Sequence, residues 1–250
     1  MTGVLKFMSI IVLACLALAS TGEAAQKVLF DNGHGERFRI GETGPLQLSG
    51  LADSFRRAGL EVAVVDGPLT DASLSGASAL VMSGAFAPML PSEVDAVARF
   101  LEKGGKLAVM LHIAPPLDPI LARLQVTYTN GVLLERENLI ENDPIRFRVT
   151  RLQEHPVFKG IKDFSADGVW GLINLAPNAR VIASTGPQAW IDLHRDGKQS
   201  KDETGSFGVV VAGELGKGSF LVFGDDAIFQ NKFLEGNNLI LAANLAQWLK

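Results

Sequence analysis

The sequence predicts a single α/β domain built on a mainly parallel β-sheet, with an antiparallel β addition in its second half. In the first half, short apolar runs rich in β-branched residues alternate with stretches of helical periodicity, which is typical of strands joined by helices in a parallel sheet. In the second half, strand-like segments follow one another with only turn residues between them. The chain has 250 residues, 47% of them hydrophobic, which suffices for one buried core and is too little for two ordinary domains.

Residues 1–24 differ from the rest and predict a secretory signal peptide. Lys6 precedes an apolar run over residues 7–19, and small residues follow it up to Ala24. The run is shorter than the roughly 20 apolar residues that a membrane-spanning helix needs. We expect cleavage after Ala19 or Ala24, with Ala24 favoured. The mature protein is then a single domain over residues 25–250, exported to the periplasm and without a transmembrane span.

The only cysteine, Cys15, lies within this predicted signal peptide. The mature chain therefore has no thiol for a disulfide, for metal ligation or for nucleophilic catalysis. A lipid anchor through Cys15 is the alternative, because residues 12–15 partly match a lipid-attachment motif. The apolar stretch that continues past the cysteine favours an ordinary signal residue instead.

The first half of the mature chain predicts alternating strands and helices. Leu48, Leu51 and Phe55 recur at helical spacing after Pro45, which suits a first helical turn, and Gly59 can end that helix. The predicted strands are residues 27–31, 61–66, 79–84 and 106–112. The predicted helices are residues 46–59, 91–103 and 115–124.

The second half predicts mainly strands. Residues 145–152 alternate strictly, with Ile145, Phe147 and Val149 on one face, which indicates a strand with one solvent-exposed face. Further predicted strands are residues 179–185, 188–193, 206–215 and 216–226. An amphipathic helix over residues 234–249 is expected to end the domain.

Polar side chains follow the predicted parallel strands at their carboxyl ends. Open parallel sheets bind ligands in the crevice outside these ends, at the point where the connections diverge to the two faces. Turn formation and helix capping also favour Asp and Asn there, but they explain His34 and His112 less well. The candidate ligand-binding residues are Asp31, Asn32, His34, Ser83, His112, Asp225, Asp226 and Asn231.

Two groups of residues in the sequence offer donors for a metal ion. His34, His112 and the pair Asp225 and Asp226 offer donors that suit zinc or iron, but no close ligand spacing supports such a site. Residues 192–203 resemble a calcium-binding loop that closes with a bidentate glutamate. The calcium ligands of this loop would be Asp192, Asp196, Ser200 and Glu203. A hairpin with an Asp-Gly turn is the favoured alternative, so no cofactor is expected, and calcium is the open possibility.

The sequence lacks the motifs that several classes of protein require for their function. Phe38 replaces the third glycine of a dinucleotide fingerprint, and Ser83 lacks the flanking glycines of a nucleophile elbow. No phosphate-binding loop is present. The formal net charge is −4, and the basic residues are dispersed, so nucleic acid is not an expected partner.

Several segments, taken in order, resemble the class I glutamine amidotransferase-like superfamily, and in particular an uncharacterised, exported bacterial branch of it, a domain of unknown function. The segments are VLFDNGHGE, GPLQLSGLADSFRRAGLEV, ALVMSGAF, FLEKGGKLAVMLH, EHPVFKGI and LVFGDDAIFQNKFLEGNNLILAANLAQWL. The resemblance implies a flavodoxin-like, three-layer sandwich. Active members carry a nucleophilic cysteine after the strand that KLAVML resembles, whereas this chain has Leu111, His112, Ile113 and Ala114 there. The resemblance therefore implies that glutaminase activity is absent.

The leading hypothesis is a non-catalytic binding module of the cell envelope that holds a small polar ligand or a protein partner in the strand-end crevice. Alanine at His34 and His112 is then expected to weaken binding and to leave thermal stability nearly unchanged. One alternative is a hydrolase-type enzyme in which His34 or His112 is the general base and Asp225 or Asp226 orients it. A structural or assembly subunit is the other alternative, and it requires a broad exposed apolar patch.

Overall fold

The computed structural model describes residues 25–250, so the predicted signal peptide and Cys15 lie outside the described residues. Ten strands form one large sheet and three form a small one. In chain order the strands are β1 (Lys27–Asp31), β2 (Glu61–Val65), β3 (Ala79–Ser83), β4 (Lys106–Met110), β5 (Val126–Val132), β6 (Leu139–Ile140), β7 (Asp143–Val149), β8 (Arg151–Leu152), β9 (Phe164–Asp167), β10 (Trp170–Asn174), β11 (Ala179–Ser184), β12 (Gly208–Leu215) and β13 (Gly218–Phe223).

The helices are fewer than the strands. The α-helices are α1 (Ser49–Arg57), α2 (Pro91–Glu102), α3 (Asp118–Arg123) and α4 (Gly236–Leu249). Three single 3₁₀ turns cover Pro115–Leu117, Pro156–Phe158 and Ala227–Phe229. Between residues 25 and 250, no helix has the length and hydropathy that a bilayer crossing requires.

Five neighbouring strands of the large sheet are parallel, in the order β2-β1-β3-β4-β13. The chain passes from β1 to β2 through α1, and from β3 to β4 through α2. These two connections leave the centre of the sheet in opposite directions, so a topological switch point lies between β1 and β3. Crevices that bind ligands form at such points, outside the carboxyl ends of the strands.

The remaining strands make the fold a mixed α/β fold. Strands β12, β10 and β5 continue the large sheet in antiparallel fashion from β13, and β11 and β8 add to it. Strands β6, β7 and β9 form the small antiparallel sheet. Eight strands thus lie outside the five-stranded parallel part, and the antiparallel addition that the sequence predicts in the second half is present.

The core has two halves, one on each face of the large sheet. Val28 and Val81 point to the face covered by α1, α4 and the small sheet, where Phe55 and Phe164 are fully buried. Leu80 points to the opposite face, which α2 and α3 cover. Because successive side chains of a strand point to opposite faces, strands buried on both sides need continuous apolar runs, and β1, β3, β4 and β13 have them.

Three sequence predictions about individual elements are wrong. Residues 188–193 form no strand, and only Trp190 makes isolated bridges, to Leu134 and Thr204. Residues 145–152 are not one strand, because the chain leaves the small sheet after β7 and joins the large sheet at β8. Helix α1 begins at Ser49 rather than near Pro45, whose carbonyl instead accepts a hydrogen bond from the Lys232 amide at 2.7 Å.

Candidate functional site

A cavity of about 280 Å³ opens at the switch point, next to the carboxyl ends of β1, β2 and β3. The loop between β1 and α1 forms its outer wall. Its apolar lining residues are Phe30, Phe38, Ile40, Leu48 and Val64. Its polar lining residues are Asp31, Asn32, Arg39, Glu42, Asp66 and Ser83, with Gly41 completing the wall.

Ser83 is the most informative polar residue of this cavity. It ends β3 on the same face as Val81, which is the face that Phe30 shares. Its Oγ atom is buried and has no hydrogen-bond partner in residues 25–250. A buried hydroxyl without a partner costs about 1–3 kcal/mol. A ligand or an ordered water in the cavity would supply the missing hydrogen bond.

Charges of both signs lie at the rim of the cavity. Asn32 Nδ2 donates a hydrogen bond of 2.5 Å to Asp66 Oδ1, which fixes the carboxylate at the end of β2. Arg39 Nε donates to the carbonyl oxygen of Glu36 at 3.1 Å. The terminal nitrogens of the Arg39 guanidinium make no hydrogen bond within residues 25–250 and remain available to a ligand.

His34 does not line this cavity, because its ring is held between two carboxylates on the α2 side of the sheet. Nδ1 lies 2.7 Å from Asp31 Oδ2, and Nε2 lies 3.2 Å from Glu93 Oε2. Burial by itself lowers the pKa of His34, but the hydrogen bonds and charges of Asp31 and Glu93 raise it to about 9. Both ring nitrogens are therefore engaged, and the charged imidazolium is favoured.

His112 forms a separate pair with Asp226. Nδ1 of His112 lies 3.1 Å from Asp226 Oδ1, and the hydrogen bond to this carboxylate raises the pKa of His112. The side chain of His112 is 38% exposed, whereas that of Asp226 is fully buried. His112 Nε2 makes no hydrogen bond in the described chain, so the second nitrogen of an oriented imidazole faces outward.

The surroundings of Asp226 are tightly fitted. Burial raises the pKa of this carboxyl group, although the hydrogen bond from His112 opposes the rise. A side chain at Gly84, where φ is +63°, would place its Cβ 2.9 Å from Asp226 Oδ2 and 2.9 Å from the Phe38 ring. Glycine is therefore required at position 84, both because Asp226 and Phe38 lie so close to the backbone and because φ is positive. Asp226 Oδ2 has no hydrogen-bond partner among the described residues.

Phe38 stands between this pair and the cavity. Its ring lines the cavity and packs edge-on against the His112 ring, with the ring centroids 4.7 Å apart. Phe86 also packs near His112, at 5.5 Å, and its amide donates to the His34 carbonyl oxygen at 2.9 Å. The two histidines are thus neighbours through Phe86 but belong to different hydrogen-bonded clusters.

Two other candidate ligand residues serve the fold. Asp225 is buried, and its two oxygens accept hydrogen bonds from the amides of Asp167 and Ala227, each at 2.8 Å. Burial, and then the charge of Asp226, raises the pKa of Asp225 well above its usual range. The side chain of Asn231 accepts from the Gly50 amide at 2.9 Å and also donates to the Gly44 carbonyl oxygen and to Ser49 Oγ, which ties the cavity loop to the segment before α4.

The calcium-loop residues are engaged in hydrogen bonds within their own loop. Asp192 accepts from the amides of residues 196 and 197, at 3.0 and 3.1 Å. Asp196 Oδ1 accepts from the amide of residue 198 at 2.9 Å. Glu203 Oε1 accepts from the amide of residue 194 at 2.9 Å, and Ser200 Oγ lies 2.6 Å from Glu203 Oε2. The segment is a long loop closed by the bridge between Trp190 and Thr204, not a two-residue hairpin.

Sequence reasoning does not select Glu36, Glu93 or Arg39 as site residues. Glu36 could have been found from its spacing to His34, because a single glycine separates the two residues in the sequence. The sequence predicts Glu93 only as a helix-start residue, and it does accept a hydrogen bond from the Leu90 amide at 2.8 Å. Its contact with His34 joins residues 59 positions apart and has no sequence signal.

Replacement of Ser83 by alanine is expected to leave the protein as stable as the wild type or to stabilise it by up to about 3 kcal/mol, because it removes a buried hydroxyl that has no partner. Urea denaturation of the ligand-free protein measures this difference. Ser78 precedes the same strand and donates from Oγ to the Lys27 carbonyl oxygen at 3.1 Å, so Ser78→Ala is the matched control and should be slightly destabilising. A clear loss of stability in Ser83→Ala would show that the hydroxyl has a structural partner.

The family model described as "Domain of unknown function (DUF4350)" matches residues 41–248 of this chain. No curated protein is similar enough in sequence to count as a match. The matched segment includes six of the twelve residues that line the cavity, together with β2, β3 and all but the last residue of α4, but it begins after Asp31, His34 and Glu36.

Solved structures share the fold at low sequence identity. The mmIFT52 N-terminal domain matches with a TM-score of 0.70 and 16% identity, over 89% of this chain and 96% of that one. The cytoplasmic protein STM1381 from Salmonella typhimurium LT2 has a TM-score of 0.59 and 16% identity, over 90% and 100% of the two chains. The cytoplasmic protein STM3548 from Salmonella typhimurium has a TM-score of 0.57 and 14% identity, over 90% and 98%. These likenesses describe the fold alone.

Proposed function

This chain belongs to the DUF4350 family, a domain of unknown function, and we propose that it is a non-catalytic binding module that holds a small polar ligand in the cavity at the switch point. The observation that carries the proposal is the buried, unpartnered hydroxyl of Ser83 within a cavity that the ends of three parallel strands surround. Such a hydroxyl costs stability in the empty protein and gains a hydrogen bond when a ligand binds.

The lining indicates the chemistry of the ligand. Phe30, Ile40 and Leu48 offer an apolar surface, while Arg39 offers a positive group at the rim and Asp66 and Glu42 offer negative groups. A small zwitterion with an apolar portion, as in a free amino acid, satisfies all three features. Most ligand pockets combine an apolar lining with a few polar groups that fix the orientation of the ligand.

We also propose that the architecture is a flavodoxin-like, class I glutamine amidotransferase-like three-layer sandwich. The order of the parallel strands, β2-β1-β3-β4-β13, supports this proposal because it has the 2-1-3-4-5 pattern of flavodoxin-like sheets. Export to the periplasm, through the signal peptide predicted over residues 1–24, is part of the same proposal. A bound cofactor is not required for ligand capture, and calcium at residues 192–203 remains a prediction whose role would be to brace that loop.

Thermal unfolding in the presence of the common amino acids tests the binding function. We expect at least one of them to raise the Tm of the wild type progressively with concentration, by mass action on the native state. Ser83→Ala should weaken the binding by about threefold to tenfold, the equivalent of one neutral hydrogen bond. Ser83→Leu should abolish the shift by filling the cavity.

Ser78→Ala is again the control, and it should respond to the same amino acid as the wild type does. Absence of any concentration-dependent shift in the wild type would contradict a zwitterion site. A shift that persists unchanged in Ser83→Leu would place the binding elsewhere on the protein, for instance on a surface that takes a partner's loop.

A second candidate function, a hydrolase-type enzyme, is favoured by one observation, the pair of His112 and buried Asp226. A carboxylate on Nδ1 with Nε2 facing outward is the arrangement of an oriented general base. Turnover of simple ester substrates that His112→Gln abolishes would support this function. His34 supports it less, because both of its nitrogens are engaged by Asp31 and Glu93.

A structural or assembly role receives less support from the surface. The exposed large apolar side chains lie on different elements, such as Val64 on β2, Ile173 on β10 and Leu239 on α4. An assembly surface requires such side chains to form one patch.

A further inference from the structure

A second buried polar cluster lies on the opposite face of β1, and the proposed ligand site shares only Asp31 with it. Its members are Asp31, His34, Glu36 and Glu93. One donor atom from each of Asp31, His34 and Glu36 lies within 4.8 Å of the others. The side chains of Asp31 and His34 are 0% and 5% exposed, so these atoms are withdrawn from bulk water.

The cluster carries more negative than positive charge. It contains three carboxylates and one imidazole, and within residues 25–250 the ion pairs of these carboxylates all go to His34. Even a fully protonated His34 balances only one of the three carboxylate charges. Burial of the remaining negative charge is costly unless a proton or a cation compensates it.

Glu36 shows where a compensating charge belongs. Its Oε2 atom accepts a hydrogen bond of 2.8 Å from the His34 amide, but its Oε1 atom is buried and has no hydrogen-bond partner among the described residues. Glu36 as a whole is 2% exposed, and one oxygen of its carboxyl group faces the Asp31 carboxyl group within 4.8 Å. Two facing carboxyl groups beside an imidazole nitrogen need either a shared proton or a metal cation between them.

We propose that Asp31, His34 and Glu36 bind a divalent transition-metal ion, with zinc as the expected occupant. Zinc accepts imidazole nitrogen together with carboxylate oxygen, whereas calcium and magnesium take oxygen ligands only. The metal takes the place of the proton on His34 Nδ1, the nitrogen that faces Asp31. Gly35, with φ at +74°, gives the short segment from Asp31 to Glu36 the backbone conformation that brings its donors together.

Glu93 completes the site without being a ligand. It lies 3.2 Å from His34 Nε2, the ring nitrogen opposite the metal-binding one. A carboxylate that accepts a hydrogen bond from the second nitrogen of a ligating histidine fixes the ring and increases its basicity. Glu93 is itself fixed, because its two oxygens accept from the amides of Leu69 and Leu90, at 2.9 and 2.8 Å.

The test uses the purified protein after dialysis against EDTA. Isothermal titration with zinc chloride, together with metal analysis by mass spectrometry, should give one bound ion per chain, and zinc should raise the Tm. Glu36→Gln preserves the shape of the side chain and removes its charge, so it should weaken zinc binding at least tenfold. Glu93→Gln should weaken it by about tenfold to a hundredfold through the loss of the orienting carboxylate.

Glu102→Gln is the matched control, because Glu102 is an exposed carboxylate of α2, the helix that carries Glu93, and lies outside both the cluster and the cavity. It should bind zinc as the wild type does. Circular dichroism of Glu36→Gln should match that of the wild type, which separates lost binding from lost folding. The proposal is overturned if the wild type binds no stoichiometric zinc, or if Glu36→Gln binds it with unchanged affinity. In either case the facing carboxyl groups share a proton, and the ligand site around Ser83 is unaffected.

Discussion

Replacement of His34 by alanine is expected to lower the free energy of unfolding by about 3–5 kcal/mol in EDTA-treated protein. His34 is the only ion-pair partner of Asp31 and Glu93 among the described residues, and all three side chains are buried. Its removal leaves two buried carboxylates without a counter-charge. Urea denaturation measures the change. His194→Ala is the control, because the side chain of His194 is 57% exposed, and this variant should change the free energy of unfolding by less than about 0.5 kcal/mol.

The same ion pairs make the free energy of unfolding depend on pH, and the raised pKa of His34 fixes the direction of this dependence. The pKa of His34 rises from 6.5 to about 9 on folding, so the stabilisation is fully present below pH 6.5 and is lost as the pH rises through about 9. The stability difference between the EDTA-treated wild type and His34→Ala should therefore narrow over that interval. A variant as stable as the wild type at neutral pH would contradict the assignment of His34 to a buried charge cluster.

Replacement of Asp225 by alanine is expected to lower the free energy of unfolding by about 2–4 kcal/mol, because it leaves the amides of Asp167 and Ala227 without their acceptors. Asp167 belongs to β9, so the side chain also joins the small sheet to the end of β13. Thermal or urea unfolding measures this effect, and ligand binding in the cavity should be retained at temperatures where the variant is folded.

Asp53 is the control for this variant, since it is an exposed aspartate that pairs with Arg56 within α1. Asp53→Ala should cost less than about 1 kcal/mol, the usual value of an exposed ion pair. Loss of ligand binding in folded Asp225→Ala, with no loss of stability, would instead make Asp225 a ligand residue.

The sequence predicts the parallel half of the fold well because its elements follow local periodicity. Residues 27–31 and 79–84 are short apolar runs that can be buried on both faces, and they form β1 and β3. The antiparallel half was less predictable because its strands are paired by contacts between distant segments. The alternation over residues 145–152 does not reveal that the chain changes sheets near Thr150, and strand β10, which contains Gly171, carries no strong strand signal.

The candidate site was predictable only in part, for a similar reason. The rule that ligands bind outside the carboxyl ends of parallel strands selects Asp31, Asn32 and Ser83, and these residues do line one cavity. The rule predicts which residues lie at the carboxyl ends of the strands, but it does not predict to which face of the sheet each side chain points. Asp31 and Ser83 end neighbouring strands, yet the Asp31 carboxylate turns to His34 on the α2 side.

The loss of stability expected for His34→Ala is the opposite of the sequence-based expectation, which was that this variant would be nearly as stable as the wild type. A histidine after a strand resembles an accessible binding residue, and its replacement is then expected to leave the stability of the fold nearly unchanged. The contact of His34 with Glu93, across 59 residues, makes it a buried ion-pair partner instead. His112 lies beside Asp226 because β4 and β13 are adjacent in the sheet, an order that the chain sequence of the strands does not show.

An NMR titration decides whether the ligand occupies the cavity. Isotope-labelled protein is titrated with the amino acid that gives the largest thermal shift, and the change in each amide chemical shift is recorded. The ligand-binding proposal predicts that the perturbed amides cluster at residues 31–42, 64–67 and 83–84, around the cavity at the switch point. Perturbations confined to another surface, such as the groove beside His155 and Arg180, or no perturbation at saturating ligand, would contradict it.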